Sequence, residues 1–185
     1  ELLAAVHAHP AVRRTLEADA TESQIMAAID RGSIPAEGRF LPETYHFPRG
    51  ISDIDILRRA NRALEATLDD AWRNRADGLP IESADEALIL ASIIEKETGL
   101  RGERRQVASV FVNRLRAGMR LQTDPTVIYG ITEGRGVLGR GLRQSELRAP
   151  TPWNTYVIDG LPPTPIANPG RASIAAAVDP ARTDY

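Results

Sequence analysis

The chain has 185 residues, of which 42% are hydrophobic and 26% charged, a balance typical of one globular domain with a real core. The formal net charge of −2 gives no support for a nucleic-acid partner. The absence of cysteine excludes disulfides, thiol catalysis and cysteine-bound metals. No segment has the roughly 20 consecutive apolar residues that a membrane-spanning helix needs.

Two short helices are predicted at the beginning of the chain. Leu2 and Val6 begin the first, and Pro10 interrupts it. The run Thr-Glu-Ser-Gln at 21–24 resembles a capping box, which opens the second helix, and Gly32 ends that helix.

A proline- and glycine-containing segment, residues 33–51, predicts a structured loop or a short extended segment. Ser52 then caps a long helix, whose apolar residues recur at spacings of three and four until Gly78 ends it. Ser83 opens the next helix with a second capping box, and Gly99 fits the position just after its C-terminus.

A further helix begins near Glu103 and ends at Gly118. Beyond residue 119 the helical residue pattern ends. Polar, β-branched and turn residues are mixed there, and residues 150–170 are rich in proline. A last helix begins near Ala172. The sum predicts an α+β fold in which helices dominate and the β-sheet is small.

The helix before Gly99 carries a carboxylate at its end. Residues 87–92 include no charge, which is typical of a buried helix. Glu95 follows in the last turn, where the helix carbonyls and partial burial both disfavour the anion and predict a raised pKa. A carboxyl that is protonated near neutral pH suits a general acid. Ala91 and Ser92 are small, which predicts space for a substrate. The alternative is a structural glutamate held in a salt bridge.

Glu97 is the competing candidate. Helical geometry does not choose between Glu95 and Glu97, because both continue apolar columns of the same helix. Arg101 lies four residues after Glu97, and a pair between them would make Glu97 structural.

A second polar cluster spans residues 121–126, where it can fold back toward Glu95. Its Gln122, Thr123 and Asp124 side chains are candidates for hydrogen bonds to sugar hydroxyls or amides, although Asp124 before a proline is also a common turn. Further along the chain, three residues can stack on or hydrogen-bond a sugar, or serve the core or a loop. They are Tyr129, Asn154 and Tyr156.

Neither a metal nor a cofactor is predicted. His7 and His9 have no acidic residue near them in the sequence, and His46 stands in a loop. A glycine-rich phosphate loop and a serine nucleophile elbow are both missing from the sequence.

Several motifs resemble those of the endolytic murein transglycosylases of the YceG-like family. They match in order and spacing over residues 37–185, while residues 1–36 match weakly. The matching segments are GRFLPETY at 38–45, RADGLP at 75–80, ASIIEKET at 91–98, VASVFVNRL at 107–115, GMRLQTDPTVIYG at 118–130, NTY at 154–156 and GLPP at 160–163.

The resemblance implies that Glu95, the first glutamate of the Glu-Lys-Glu run, is catalytic. It implies a helical segment, 1–36, before a catalytic domain, 37–185, with a YceG-like, lysozyme-like cleft. It also implies a bacterial inner-membrane protein with one transmembrane helix before this chain and the catalytic domain on the extracytoplasmic side. Because Glu1 is no natural start and the chain stops without a closing element, we expect a fragment, truncated at its C-terminus.

The resemblance further implies that the substrate is the glycan of peptidoglycan, cut between N-acetylmuramic acid and N-acetylglucosamine. Peptidoglycan synthases are candidate partners. A single acid/base, Glu95, would leave 1,6-anhydromuramoyl ends, and the polar cluster with Tyr129, Asn154 and Tyr156 would position the sugars. Two alternatives stay open. One is a hydrolase in which Asp124 activates water opposite Glu95, and the other is a non-catalytic glycan-binding module.

Overall fold

The computed structural model describes residues 2–183, except for the side chain of Arg101, and this part of the chain holds seven α-helices and two short 3₁₀ helices. The α-helices are α1 (Leu2–His7), α2 (Glu22–Ala28), α3 (Asp53–Arg73), α4 (Ala84–Glu97), α5 (Arg104–Arg116), α6 (Asp124–Thr132) and α7 (Arg171–Val178). The 3₁₀ helices are Arg101–Glu103 and Glu146–Arg148. No helix within this part of the chain is long and apolar enough to cross a membrane.

The predicted α+β fold with a small β-sheet is wrong. Between residues 2 and 183 the extended pairing consists of one isolated parallel bridge, from Arg13 to Ser52. The β-branched residues after position 119 lie instead in α6, where the Thr126 hydroxyl donates to the Thr123 carbonyl at 2.7 Å. Residues 150–170 form turns, because their six prolines lack the N–H donors of a sheet ladder.

Caps that are recognisable in the sequence set the starts of three helices. Thr21 forms the complete capping box of α2. Ser52 and Ser83 each accept a hydrogen bond from the backbone N–H three residues later, at 3.1 and 3.2 Å, and so begin α3 and α4. These predicted starts are confirmed, whereas α3 ends at Arg73, before the expected Gly78.

Helix α4 lies at the centre of the larger core, with α3, α5, α6 and α7 packed around it. The predicted burial of this helix is confirmed, since seven of its residues are buried, from Ala87 to Ile94. Its closest neighbour is α7, whose sequence RASIAAAV supplies small side chains that permit close packing. The carboxyl end of α4 therefore emerges from the core beside α7.

A second, smaller core joins α1 and α2 to the first half of α3 around Leu3, Met26 and Leu57. The buried Asp53 carboxylate ties these elements together. It lies 2.8 Å from His7 Nε2 and accepts two backbone N–H bonds, both of 2.9 Å, and a hydroxyl bond from residues 15 and 16. Although burial opposes the charge, these hydrogen bonds hold the pKa of Asp53 far below its usual range. The division of the chain at residues 36 and 37 stays a prediction.

Candidate active site

The Glu95 carboxylate lies in the last turn of α4 and is surrounded by donors from later in the chain. Oε2 accepts a hydrogen bond from the Ser173 hydroxyl at 2.6 Å and from the backbone N–H of Gly170 at 3.0 Å. Oε1 lies 3.4 Å from Nη2 of Arg104. The side chain is nevertheless 27% exposed. Three donors from two segments, the starts of α5 and α7, thus converge on one carboxylate that still reaches solvent.

Small side chains on α4 bring these donors into place. Ser92 is fully buried, and its hydroxyl oxygen accepts the backbone N–H of Ile166 at 3.0 Å. This bond lays the following segment along α4 and places Gly170, the N-cap of α7, over Glu95. The expectation that Ala91 and Ser92 leave space for a substrate is wrong, because both are fully buried and Ser92 is bonded to this segment of the chain.

The predicted upward shift of the Glu95 pKa is also wrong. Burial does raise the pKa of this carboxyl, but the hydrogen bonds from Ser173 and Gly170 and the positive charge of Arg104 outweigh it. The net effect lowers the pKa of Glu95 below its ordinary value of 4.5. The free chain therefore favours the carboxylate over the acid.

Arg104 is a residue of this candidate site that sequence reasoning missed. Its side chain is only 10% exposed, and its Nε donates to the Ser173 hydroxyl oxygen at 2.9 Å. Its Nη1 is buried and has no hydrogen-bond partner among the described residues. Arg104 lies nine positions after Glu95 and Ser173 lies 78 positions after it, so no local pattern links them.

Glu97 points to a different set of partners. Its Oε2 accepts the Thr123 hydroxyl at 2.5 Å, at the N-cap of α6. The predicted pair with Arg101 stays a prediction, because that side chain lies outside the described residues. Since Glu97 holds the start of α6 against α4, its contacts give it a structural task.

Three of the six predicted sugar contacts, Thr123, Asp124 and Tyr156, lie at the start of α6 beside Glu97 rather than Glu95. Tyr156 donates its hydroxyl to Asp124 at 2.7 Å, and this bond, together with burial, raises the pKa of Tyr156 to about 12. Asp124 is the first residue of α6, next to the buried Thr123. Glu95 and Asp124 therefore belong to separate hydrogen-bonded groups.

Asn154 and Gln122 do not present their side chains in the predicted way. Asn154 is fully buried, and its amide nitrogen donates to the carbonyls of Glu146, Leu147 and Ala149 at 2.8–3.2 Å. This network makes Asn154 a loop anchor. Gln122 is exposed and has a positive φ of 50°, beside the segment that precedes α6.

A cavity of about 780 Å³ lies between residues of α3, α5 and α7, and Arg104 lines it. Its walls also hold Thr67, Asp70 and Arg171, among many alanines. None of the six residues predicted to contact sugar lines this cavity.

A second cavity, of about 540 Å³, lies on the other side of the end of α4. It is lined by Lys96, Tyr129, Asn168 and a glycine-rich loop that includes residues 136–140. The Tyr129 ring packs edge-on against Trp153 at 5.4 Å, and burial raises the pKa of its phenol. Glu95 lines neither cavity, but its neighbours Arg104 and Lys96 line one each.

Comparisons with known proteins identify the family of this helical domain. A sequence model of the YceG-like family matches residues 3–185, and the chain belongs to this family. This confirms the resemblance recognised in the motifs. The described residues hold no group of three or more His, Asp or Glu side chains that could bind a metal ion.

Two sequence relatives from different bacteria have the same name. The endolytic murein transglycosylase of Bacillus subtilis is 36% identical over 156 residues, covering 82% of this chain and 41% of the relative. The endolytic murein transglycosylase of Streptococcus pneumoniae D39 is 26% identical over 154 residues, covering 80% and 27%. The crystal structure of a YceG-like protein from Listeria monocytogenes superposes with a TM-score of 0.67 at 33% identity, covering 100% of this chain and 55% of that one. The chain thus spans less than half of the length of these two endolytic murein transglycosylases.

Proposed function

We propose that this chain is the catalytic part of an endolytic murein transglycosylase and that Glu95 is its single acid/base. The observation that carries the proposal is the arrangement at Glu95. Oε2 is fixed by two hydrogen bonds of 2.6 and 3.0 Å, while the side chain keeps 27% of its surface exposed. A carboxylate that is both oriented and reachable suits proton transfer to a bound substrate. The name shared by the relatives supports peptidoglycan as the substrate class.

The proposed reaction needs one carboxyl group. Protonated Glu95 donates to the glycosidic oxygen as the bond from C1 of N-acetylmuramic acid breaks. The C6 hydroxyl of the same sugar then attacks C1, and its proton passes to the Glu95 carboxylate. The product carries a 1,6-anhydro ring, and no water is consumed. Because the nucleophile belongs to the substrate, proximity supplies much of the rate, up to roughly 7–11 kcal/mol in ideal cases.

The surroundings of Asp124 favour this reaction over the two-carboxylate hydrolase. A hydrolase would need Asp124 to face Glu95 across a bound water. Asp124 instead accepts the Tyr156 hydroxyl at 2.7 Å, at the end of α6 that Glu97 contacts through Thr123. The transglycosylase therefore requires fewer rearrangements of the observed contacts.

The cavity of about 540 Å³ is the proposed sugar site. Its volume lies within the roughly 300–1,000 Å³ of small-molecule pockets. Lys96, the residue next to Glu95, and Tyr129, one of the predicted sugar contacts, both line it. The glycan strand is proposed to continue toward Glu97, where it would contact Gln122, Asp124 and Tyr156.

For the full-length protein we propose a location at the bacterial inner membrane, with this domain on the extracytoplasmic side. Peptidoglycan synthases are proposed as partners. Both proposals rest on the family resemblance. Cell fractionation with protease protection tests the location, and recovery of the protein in the cytosolic fraction would overturn it.

The matched pair of substitutions Glu95→Gln and Glu97→Gln tests the assignment on a single helix. We expect Glu95→Gln to reduce glycan cleavage by about 10²–10⁴-fold, because it removes the transferable proton. Glu97→Gln should reduce cleavage much less, since its partner is the Thr123 hydroxyl. The measurement is mass spectrometry of purified glycan strands after incubation with each full-length variant.

Each result has a distinct meaning. Anhydromuramoyl ends that disappear only in Glu95→Gln support the proposal. A greater loss in Glu97→Gln would transfer the acid/base role to that residue. Reducing ends would identify a hydrolase. Glycan binding by the wild type without any cleavage would identify a binding module.

A further inference from the structure

The Ser173 hydroxyl lies between Arg104 and Glu95 and is completely buried. Its oxygen is 2.9 Å from Arg104 Nε and 2.6 Å from Glu95 Oε2. A guanidinium group only donates hydrogen bonds, so the Ser173 oxygen must accept from Nε. The serine hydrogen is then directed at Oε2. Arg104 therefore orients the hydroxyl of Ser173 toward the carboxylate.

The two oxygens of Glu95 are consequently not equivalent. Oε2 receives two donors, from Ser173 and from the backbone N–H of Gly170. A proton on Oε2 would displace the Ser173 hydrogen from this bond or point at the Gly170 N–H, whereas a proton on Oε1 leaves both donor bonds in place. Oε1 has one contact in the described part of the chain, to Arg104 Nη2 at 3.4 Å, which is long beside the roughly 2.7–2.9 Å of strong charge-assisted bonds. The acid form therefore carries its proton on Oε1.

We propose that Ser173, oriented by Arg104, is a positioning residue that reserves Oε1 of Glu95 for proton transfer to the substrate. This inference rests on the proposed function of Glu95. The same hydroxyl stabilises the carboxylate that remains after the proton has left, so it favours the donation step. The same hydrogen bond lowers the pKa of Glu95, so a smaller fraction of the free protein has this carboxyl protonated at neutral pH.

Among the charged groups near Glu95, one acts on its pKa and the others have different partners. Arg104, on α5, is the cation that acts on Glu95. Arg171, at the start of α7, is paired with Glu43. Glu97, on the same helix, is bonded to Thr123. Removing the Ser173 hydroxyl therefore takes one hydrogen bond from Glu95 and one acceptor from Arg104, the cation that is paired with this carboxylate.

The test compares Ser173→Ala, Ser173→Thr and the control Ser109→Ala in the full-length protein. Ser109 is an equally buried serine on α5, whose hydroxyl contacts Thr183 and the Gln106 carbonyl instead. Two measurements are made: the pH profile of kcat/KM on glycan strands, and the titration of the Glu95 carboxyl carbon by ¹³C NMR, identified with Glu95→Gln.

We expect Ser173→Ala to raise the pKa of Glu95 by roughly one unit, because it loses a charge-assisted hydrogen bond. The fall of kcat/KM on the alkaline side should move upward by the same amount, and kcat at the plateau should drop about tenfold through lost orientation. Ser173→Thr should restore both, and Ser109→Ala should change neither.

Two results would overturn the inference. One is an unchanged titration of Glu95 in Ser173→Ala, and the other is an equal shift in Ser109→Ala. A shifted titration together with no cleavage by the wild type would retain the hydrogen-bonded arrangement and reject the proposed function, so the two failures are distinguishable.

Discussion

Asp53 and Glu95 are both partly or fully buried carboxylates, and the two regions built around them use the same chemistry differently. Asp53 is 0% exposed, and donors from His7, Thr15 and Leu16 occupy both of its oxygens. Glu95 keeps 27% of its side chain exposed, and its donors concentrate on one oxygen. Donors on both oxygens make Asp53 a structural link between helices. Glu95 has its closer donors on Oε2, which leaves Oε1 for the proposed contact with a substrate.

The hydrogen bonds lower the pKa of both groups, so a lowered pKa does not by itself separate the structural carboxylate from the proposed catalytic one. Exposure and the distribution of donors do separate them. The same test applies to Glu97, whose partner Thr123 belongs to the buried start of α6.

The largest effect on stability is expected at Asp53, the fully buried carboxylate. Asp53→Ala should lower the free energy of unfolding by about 3–5 kcal/mol, because it leaves several buried donors unpaired. Asp69→Ala, at an exposed position of the same helix, is the control and should stay within about 0.5 kcal/mol. Urea unfolding measures both. Similar small losses in the two variants would show that the donors of Asp53 are solvated in the folded protein.

Acid should distinguish wild type from Glu95→Gln. Because the folded-state pKa of Glu95 lies below its ordinary value of 4.5, ionised Glu95 stabilises the fold above that pH, and this contribution is lost as the pH falls through the folded-state pKa. The difference in unfolding free energy between the two proteins should therefore shrink between neutral pH and about pH 3. Urea unfolding midpoints across this range check it. A difference that stays constant or grows as the pH falls would contradict the lowered pKa.

The smallest effect is expected where the carboxylate that accepts the hydrogen bond is exposed. Tyr156→Phe removes the hydroxyl bound to the exposed Asp124 and should cost about 0.5 kcal/mol or less. Thr15→Val removes the corresponding hydroxyl from the buried Asp53 and should cost about 1–3 kcal/mol. Thermal and urea unfolding of the two variants provide the comparison. An equal loss of unfolding free energy in the two variants would mean that burial of the carboxylate does not determine how much its hydrogen bond stabilises the fold.

The parts of the fold that the sequence predicted are those with local signals. Thr21, Ser52 and Ser83 cap helices through contacts within three residues, and the uncharged run of α4 requires burial wherever it packs. Helix α6 has weaker signals, because Thr123 precedes it and Asp124 and a proline begin it, but no side-chain cap hydrogen bond forms there. Its β-branched residues are weak helix formers, and long-range bonds such as that between Thr126 and Thr155, of 2.8 Å, help to hold it. The expectation of a sheet failed for the same reason.

The candidate site divides in the same way. The position of Glu95 at a helix end followed from the sequence, and the family motif separated it from Glu97. The direction of its pKa did not follow, because Gly170 and Ser173 approach from 75 and 78 positions away. The small Ala91 and Ser92 predicted space for a substrate, but the structure shows that both are buried and that Ser92 is bonded to the segment containing Ile166.

The long separation between Glu95 and its donors also has a consequence for synthesis. Closing a loop of this length is entropically costly and slow compared with forming α4 itself. During translation, α4 can be complete while Gly170 and Ser173 have not yet been added to the chain. A nascent chain therefore has Glu95 long before it has the hydrogen bonds that orient this side chain, and those bonds form only when α7 docks.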